Sequence, residues 1–234
     1  MIYTIQQGDS LMSVCHSNWK YIYYLPRNEQ FRKDFPDPHL IQAGADIYIP
    51  QLTDNDLTTE DAMYLMRRYK YHDDNVLTAM VLFQDLFGKE YQCRVAFCGS
   101  VGLWLQGKGL PGKRFGDFDV WTDRLFEADD LHFRIDKISY FGYLCYRYSL
   151  DILHRKDDCF DALIEFDKNK LVRLENGIWV KDWRAMGMFN AIMRESYGDK
   201  EKPRFEIEPD SETRNAIAKV FSPQEKGIAN TELV

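Results

Sequence analysis

The sequence predicts an α+β protein: a small β-α-α-β module followed by a larger α/β domain with a mixed sheet and flanking helices. Three observations predict it. Short alternating strands open and close the first 50 or so residues, with two helical stretches between them. A continuous apolar run at 95–98 then turns at Gly99-Ser100 into a helix, and a later strand opens on Asp117 and Asp119.

Composition narrows the class of protein. The chain has 234 residues, 45% of them apolar, and a net charge of -7, so a nucleic-acid binder that depends on a basic surface is not expected. The sequence has no apolar run of about 18 residues, so no membrane span is predicted. The N-terminus shows no secretory signal. The five scattered cysteines form no C-x-x-C pair, which is typical of reduced thiols in a cytosolic compartment.

The module is predicted over residues 1–51. A strand at 3–5 leads into the turn Gly8-Asp9-Ser10, where Asp9 or Ser10 can cap the first helix. A second short helix carries Trp19, and the closing strand 47–49 ends at Pro50.

These residues resemble a LysM domain. The stretches "YTIQQGDSL" and "PDPHLIQAGADIYIP", with Asn28 between them, match the opening and closing motifs over residues 2–50, although the connection 29–34 is longer and more charged. The resemblance implies binding of N-acetylglucosamine polymers or, in phage tail, baseplate and injection-machine proteins, a packing role. The segment "NWKYIYYLPRN" is similar to that second group. Trp19, Tyr23 and Tyr24 are therefore expected to pack against protein, and peptidoglycan is not an expected partner.

Residues 52–92 are predicted to be a linker and two helices. The polar stretch 51–56 has no periodicity. Thr58 or Thr59 should cap the first helix, which has acids in its first turn. Asp73-Asp74 should open the second helix, with Gly88 at its end.

Two adjacent arginines, Arg67 and Arg68, stand on the first of these helices. A solvated helix face is the expected role of the pair. Contact with phosphate is the alternative.

The second domain is predicted over residues 93–200. A turn such as Gly99-Ser100 at a helix start presents free N–H groups to an anion. Asp117 and Asp119, one residue apart on a strand, point to the same face. Two carboxylates held so close favour a cation between them.

Further elements complete this domain and the C-terminus. Two strands are predicted at 146–153 and 160–166, the second carrying Asp161. Asn176-Gly177 forms a turn before a strand at 178–180, and Asp182 caps a helix. Residues 201–234 are expected to form a C-terminal helix and tail.

The order of "GS", "DFD" and a later strand acid resembles the nucleotidyltransferase fold of the polymerase β superfamily, most closely its minimal and abortive-infection types. The resemblance covers about residues 93–195. It implies that Gly99 and Ser100 grip a triphosphate and that Asp117, Asp119 and Asp161 hold two Mg²⁺ ions. Such ions activate the attacking hydroxyl and neutralise the charge that builds up on the phosphates.

Other residues bear on nucleotide binding. Arg114, with Lys113, could add positive charge near the phosphates. The gap between Ser100 and Asp117 is longer than in many members of the family. The segment 186–188, Met-Gly-Met, stands where these proteins commonly carry a lysine that contacts the nucleotide.

Together these patterns predict a structural protein of a phage virion (tail, baseplate or portal-associated) or of an injection machine. The nucleotidyltransferase-like domain would be degenerate and used for assembly. Its partners would be other virion proteins or copies of itself. The protein would be located in the virion or the cytoplasm, and it would not be secreted by a signal peptide. The alternative is an active nucleotidyltransferase that uses Mg²⁺ to transfer NMP from an NTP to a protein, RNA or small molecule.

Overall fold

The computed structural model describes residues 1–109, 112, 114–116, 118–124, 170–187, 211 and 214–215. These residues form helices, a two-stranded sheet and a four-stranded mixed sheet, which confirms the α+β class. Domain boundaries at 51, 92 and 200 stay predictions. No helix in the described part of the chain is long and apolar enough to cross a membrane.

The N-terminal part contains two strands, three short α-helices and two single-turn 3₁₀ helices, His16–Asn18 and Pro26–Asn28. Strands β1 and β2 pair antiparallel, with Tyr3 opposite Ile47. The hydroxyl of Ser10, one of the two predicted caps, accepts a hydrogen bond from Ser13 N (3.1 Å). A third helix fills the predicted connection, so the order is β-α-α-α-β. The elements are β1 (Ile2–Thr4), α1 (Leu11–Cys15), α2 (Trp19–Tyr24), α3 (Glu29–Asp34) and β2 (Asp46–Tyr48).

A buried amide joins the helices of this part to its sheet. Asn28 is 2% exposed. Its Nδ2 donates to the carbonyls of Ile22 and Tyr48, both at 2.8 Å, and its Oδ1 accepts from Tyr48 N at 2.8 Å. One side chain therefore satisfies three buried backbone groups, which are costly to leave unpaired.

Helices α4 (Thr59–Arg68) and α5 (Asp73–Tyr91) follow and pack against each other. Thr58, one of the two predicted caps, begins α4 and forms a capping box with Asp61. The prediction that Gly88 ends α5 is wrong. The left-handed residue is Gln92 (φ 51°), and the Gly88 carbonyl accepts from Cys93 N at 3.1 Å. Gly88 instead leaves room for the Cys93 carbonyl, which a Cβ there would approach to 3.0 Å.

The N-terminal module rests on α4 through charged groups. Asp61 is 1% exposed, and its Oδ2 lies 3.6 Å from Arg27 Nε. Burial raises the pKa of Asp61, although Thr58 and Arg27 counteract this rise. The Arg67 guanidinium lies 4.8 Å from the ring centroid of Tyr21. The expectation of a solvated face at Arg67 and Arg68 is therefore wrong: both are half-buried at this junction.

The second sheet has the order β4-β3-β6-β5. β3 pairs antiparallel with β4 and parallel with β6, and β6 pairs antiparallel with β5. The predicted Asn176-Gly177 turn lies between β5 and β6, but β5 has no counterpart in the sequence prediction. The elements are β3 (Val95–Phe97), α6 (Gly99–Leu105), β4 (Val120–Thr122), β5 (Leu171–Arg173) and β6 (Trp179–Lys181).

Both faces of this sheet are covered, so β3 is fully buried as predicted. Val95 and Phe97 belong to the large core that also contains α4, α5 and the N-terminal module. Ala96 and Cys98 belong to a smaller cluster on α6 and the helical turn at 183–187. The continuous apolar run follows from this double cover.

The buried amide of Gln84 fixes α5 to the sheet. Its Nε2 donates to the carbonyls of Val95 (3.0 Å) and Trp179 (2.8 Å), and its Oε1 accepts from Trp179 N (3.0 Å). The side chain thus bridges β3 and β6.

Replacing Asn28 by Asp should lower the free energy of unfolding by roughly 3 kcal/mol, because a buried carboxylate would face the two carbonyls that the amide now serves. Urea denaturation followed by circular dichroism measures the change. Asn55→Asp makes the same substitution at an exposed site and should shift stability by no more than about 0.5 kcal/mol. Equal losses in the two variants would show that the Asn28 bonds contribute nothing specific.

Candidate functional site

The candidate site is the turn that joins β3 to α6. Cys98 is extended (φ -137°, ψ -165°), and Gly99 then adopts φ +56° as the first residue of α6. Glycine enters this left-handed region without the steric cost that a Cβ brings. The predicted sharp turn at Gly99-Ser100 is therefore present, with Ser100 half-buried in the first turn of α6.

Asp119 lies directly against this turn. Cys98 N donates to the Asp119 carbonyl at 3.0 Å, one step beyond the Phe97–Val120 pair of the ladder. A Cβ built on Gly99 would lie 2.0 Å from Asp119 Oδ2 and 2.7 Å from its Cγ. The carboxylate therefore occupies the space that any larger residue at 99 would need. Two predicted site residues, far apart in sequence, meet here.

The neighbouring strand brings a lysine to the same end of the sheet. Lys181 follows Val180, whose Cα pairs with that of Phe97, so Lys181 lies beside Cys98. It is only 2% exposed. Asp119, Cys98 and Lys181 thus stand on three adjacent chain segments at one edge. Alternation with exposed Trp179 predicts a solvent-facing lysine at 181, so sequence pattern offers no signal for this burial.

Helix α6 is held over this edge by close packing and by an amide. A Cβ on Gly102 would lie 2.8 Å from the Phe97 carbonyl, so glycine lets α6 approach the end of β3. Gln106 Nε2 donates to the Lys181 carbonyl (2.9 Å), and its Oε1 accepts from Trp183 N (3.0 Å). Gln106 therefore fixes the end of β6 relative to α6.

A cap starts the helical turn that follows β6. Asp182 Oδ1 accepts from Arg184 N at 2.7 Å. This is the predicted cap of the helix after β6.

Arg114 contacts residues of two helices. Its Nη1 lies 2.6 Å from Asp73 Oδ1, at the start of α5. Its guanidinium carbon lies 4.6 Å from the ring centroid of Trp104, in α6. Its Nε and Nη2 are buried without a hydrogen-bond partner in the described chain. Arg114 thus connects the loop after α6 to α5, and its Nε and Nη2 donors stay available for a further partner.

The structure describes one of the three acids that were predicted to hold the metal ions. Asp119 is described, whereas Asp117 and Asp161 lie outside the described residues. Within the described ranges, no group of three His, Cys, Asp or Glu side chains could hold a metal ion. Asp119 offers the oxygen ligand that Mg²⁺ prefers, so its chemistry fits the ion, and the full ligand set stays a prediction.

The thiols of Cys15 and Cys93 are poor nucleophiles. Burial raises the pKa of the Cys15 thiol to about 11 and that of the Cys93 thiol to about 12. Thiols of this kind are inert at neutral pH.

Comparison of the chain with protein-family models, with curated proteins and with solved structures found no match.

Gly99→Ala should lower the free energy of unfolding by about 2–3 kcal/mol, since it adds a strained φ and a collision with Asp119. Gly107→Ala is the matched control, because Gly107 has φ +66° but open space around it; it should cost only about 1 kcal/mol.

The same collision can be tested by a double-mutant cycle. Asp119→Ala should recover at least about 1 kcal/mol when combined with Gly99→Ala, because the carboxylate is what the new methyl group meets. Urea denaturation of all four proteins gives the coupling. Strict additivity would contradict the close approach.

Proposed function

We propose that this chain is a structural protein of a phage particle or injection machine, in which the LysM-like module serves as a packing unit and the nucleotidyltransferase-like domain as a framework. The observation that carries the proposal is how the module uses its aromatic residues. Sugar-binding surfaces need accessible aromatic faces, whereas a packing module buries or covers them.

Several of these faces are already in contact with protein. The Arg27 guanidinium lies 4.8 Å from the ring centroid of Tyr48, and Arg67 lies at the same distance from that of Tyr21. Tyr23 is 4% exposed, and its hydroxyl donates to the Phe35 carbonyl at 2.8 Å. Trp19 makes an edge contact with His39 at 5.8 Å. This pattern favours assembly over glycan recognition.

The junction between the module and α4 supports the same use. Arg27 pairs with Asp56 (3.0 Å) and with buried Asp61, so the predicted linker region and α4 share one arginine of the module. A module held this way presents a fixed outer surface to neighbouring subunits, which is what an assembly needs. Its site of action is then the particle, or the cytoplasm before assembly.

Particles purified from the organism that encodes this chain should contain it at a fixed ratio to the major structural proteins. Quantitative mass spectrometry across a density gradient measures that ratio, and an abundant cytosolic protein of the same cell is the control for carry-over. A chain that follows the cytosolic control instead of the particle peak would contradict the proposal.

A second candidate is an active nucleotidyltransferase, and the meeting of Asp119 with the Gly99-Ser100 turn favours it. Buried Lys181 at the same edge would supply the positive charge that segment 186–188 lacks. Bound Mg²⁺ would polarise the phosphates and the attacking hydroxyl. Asp119 would contribute a carboxylate to the ion, and the turn would offer backbone N–H groups to phosphate oxygens.

Isothermal titration with each of the four NTPs and Mg²⁺ tests this candidate. It predicts a binding heat for at least one nucleotide and its loss in Asp119→Asn, which keeps the side-chain shape and removes the charge. Asp123→Asn changes an acid on the same segment, beyond β4, and should leave the heat unchanged. No heat with any NTP rejects the candidate and leaves the assembly role.

A further inference from the structure

A cleft of about 680 Å³ lies where the module meets helix α4, and neither Gly99 nor Ser100 lines it. Its walls come from β1 and α1 with their connecting loop, from α4, and from the segment before α5. This volume falls within the range of about 300–1,000 Å³ that is typical of small-molecule sites. The residues that bear on its chemistry are Tyr3, Asp9, His16, Arg68, Tyr69 and His72.

Arg68 is the principal charge of the cleft. It lies in the last turn of α4 and is half-buried. Its Nη1 is 3.4 Å from the Pro50 carbonyl, and its guanidinium carbon is 5.3 Å from the Tyr69 ring centroid. In the part of the chain that the structure describes, no carboxylate forms an ion pair with Arg68. A half-buried cation without a counter-charge is stabilised by an anion that enters the cleft.

Two histidines add hydrogen-bonding nitrogens to the cleft. His16 has φ 52° and ψ -146°, a conformation that non-glycine residues seldom adopt, and such strain occurs preferentially at functional sites. His72 is the N-cap residue of α5. Together with Arg68 they bring nitrogen donors to one cleft from three different elements. A phosphoryl group, with its several acceptor oxygens, suits this arrangement better than a planar carboxylate, which has two.

The acid of the cleft is already engaged. Asp9 Oδ2 accepts from the Tyr3 hydroxyl and from Gln6 N, both at 2.8 Å. Neutral donors therefore satisfy this carboxylate oxygen, and no ion pair joins Asp9 to Arg68 among the described residues. The hydroxyl and amide groups of the walls, including Asn18 and Gln51, are suited to a hydroxylated ligand.

We propose that this cleft binds a small phosphomonoester, with its phosphoryl group on Arg68 and a hydroxylated body against the polar and tyrosine walls. The site is separate from the nucleotidyltransferase-like residues, and the proposal does not depend on the function proposed above.

The probe for the full-length chain is glucose 6-phosphate, measured by isothermal titration and by the thermal unfolding midpoint. We expect saturable binding and a raised midpoint. Glucose, inorganic phosphate and glucuronate should each bind at least tenfold more weakly. Glucose lacks the phosphoryl group, inorganic phosphate lacks the hydroxylated body, and glucuronate carries a planar carboxylate in place of the tetrahedral anion. Equal binding of inorganic phosphate or of glucuronate would overturn the proposal.

Variants locate the site. Arg68→Gln should weaken glucose 6-phosphate binding at least tenfold. Lys20→Gln removes the same charge from α2 outside the cleft and should leave the affinity unchanged. His72→Asn puts a residue that favours the N-cap position at the start of α5 and should weaken binding several-fold, so it decides the matter if Arg68→Gln does not fold. An unchanged affinity in folded Arg68→Gln or in His72→Asn, or no binding at all, would contradict the proposal.

Discussion

The contact between Gly99 and the Asp119 carboxylate is the constraint on which the second sheet depends. A residue with φ +56° and no room for a Cβ turns the chain from β3 into α6 and lets β4 approach in the same place. A side chain at 99 would have to move either Asp119 or the turn. Because α6 covers one face of the sheet, this contact also sets where that cover lies.

Three side-chain amides then tie segments that are remote in sequence. Asn28 joins the helices of the module to β2, Gln84 joins α5 to β3 and β6, and Gln106 joins α6 to the end of β6. Each amide forms hydrogen bonds with backbone N–H and carbonyl groups. These bonds satisfy the backbone groups and also fix the positions of the joined segments relative to each other. The strands are only three residues long, and these bonds supplement ladders that offer few bonds of their own.

Local signals made part of this fold predictable. The caps at Ser10 and Thr58 and the glycine turn at 99 each depend on neighbouring residues, and each is present. Other features escaped prediction. Burial of Lys181 depends on remote partners and contradicts its strand alternation. Gly88 leaves room for the Cys93 carbonyl and does not end the helix, because the left-handed residue is Gln92. For the site, the family resemblance put Gly99 and Asp119 in one nucleotide site, and the two residues lie together. The tie of Arg114 to Asp73 follows only from tertiary packing.

Our central proposal is that this chain serves assembly and that its nucleotidyltransferase-like region does not catalyse nucleotidyl transfer. Incubation with α-³²P-labelled NTPs, Mg²⁺, and either the protein alone or RNA as acceptor tests it most directly. The account predicts no incorporation above that of the Asp117→Ala/Asp119→Ala double variant. Transfer of label by the natural sequence that this double variant abolishes would contradict the account.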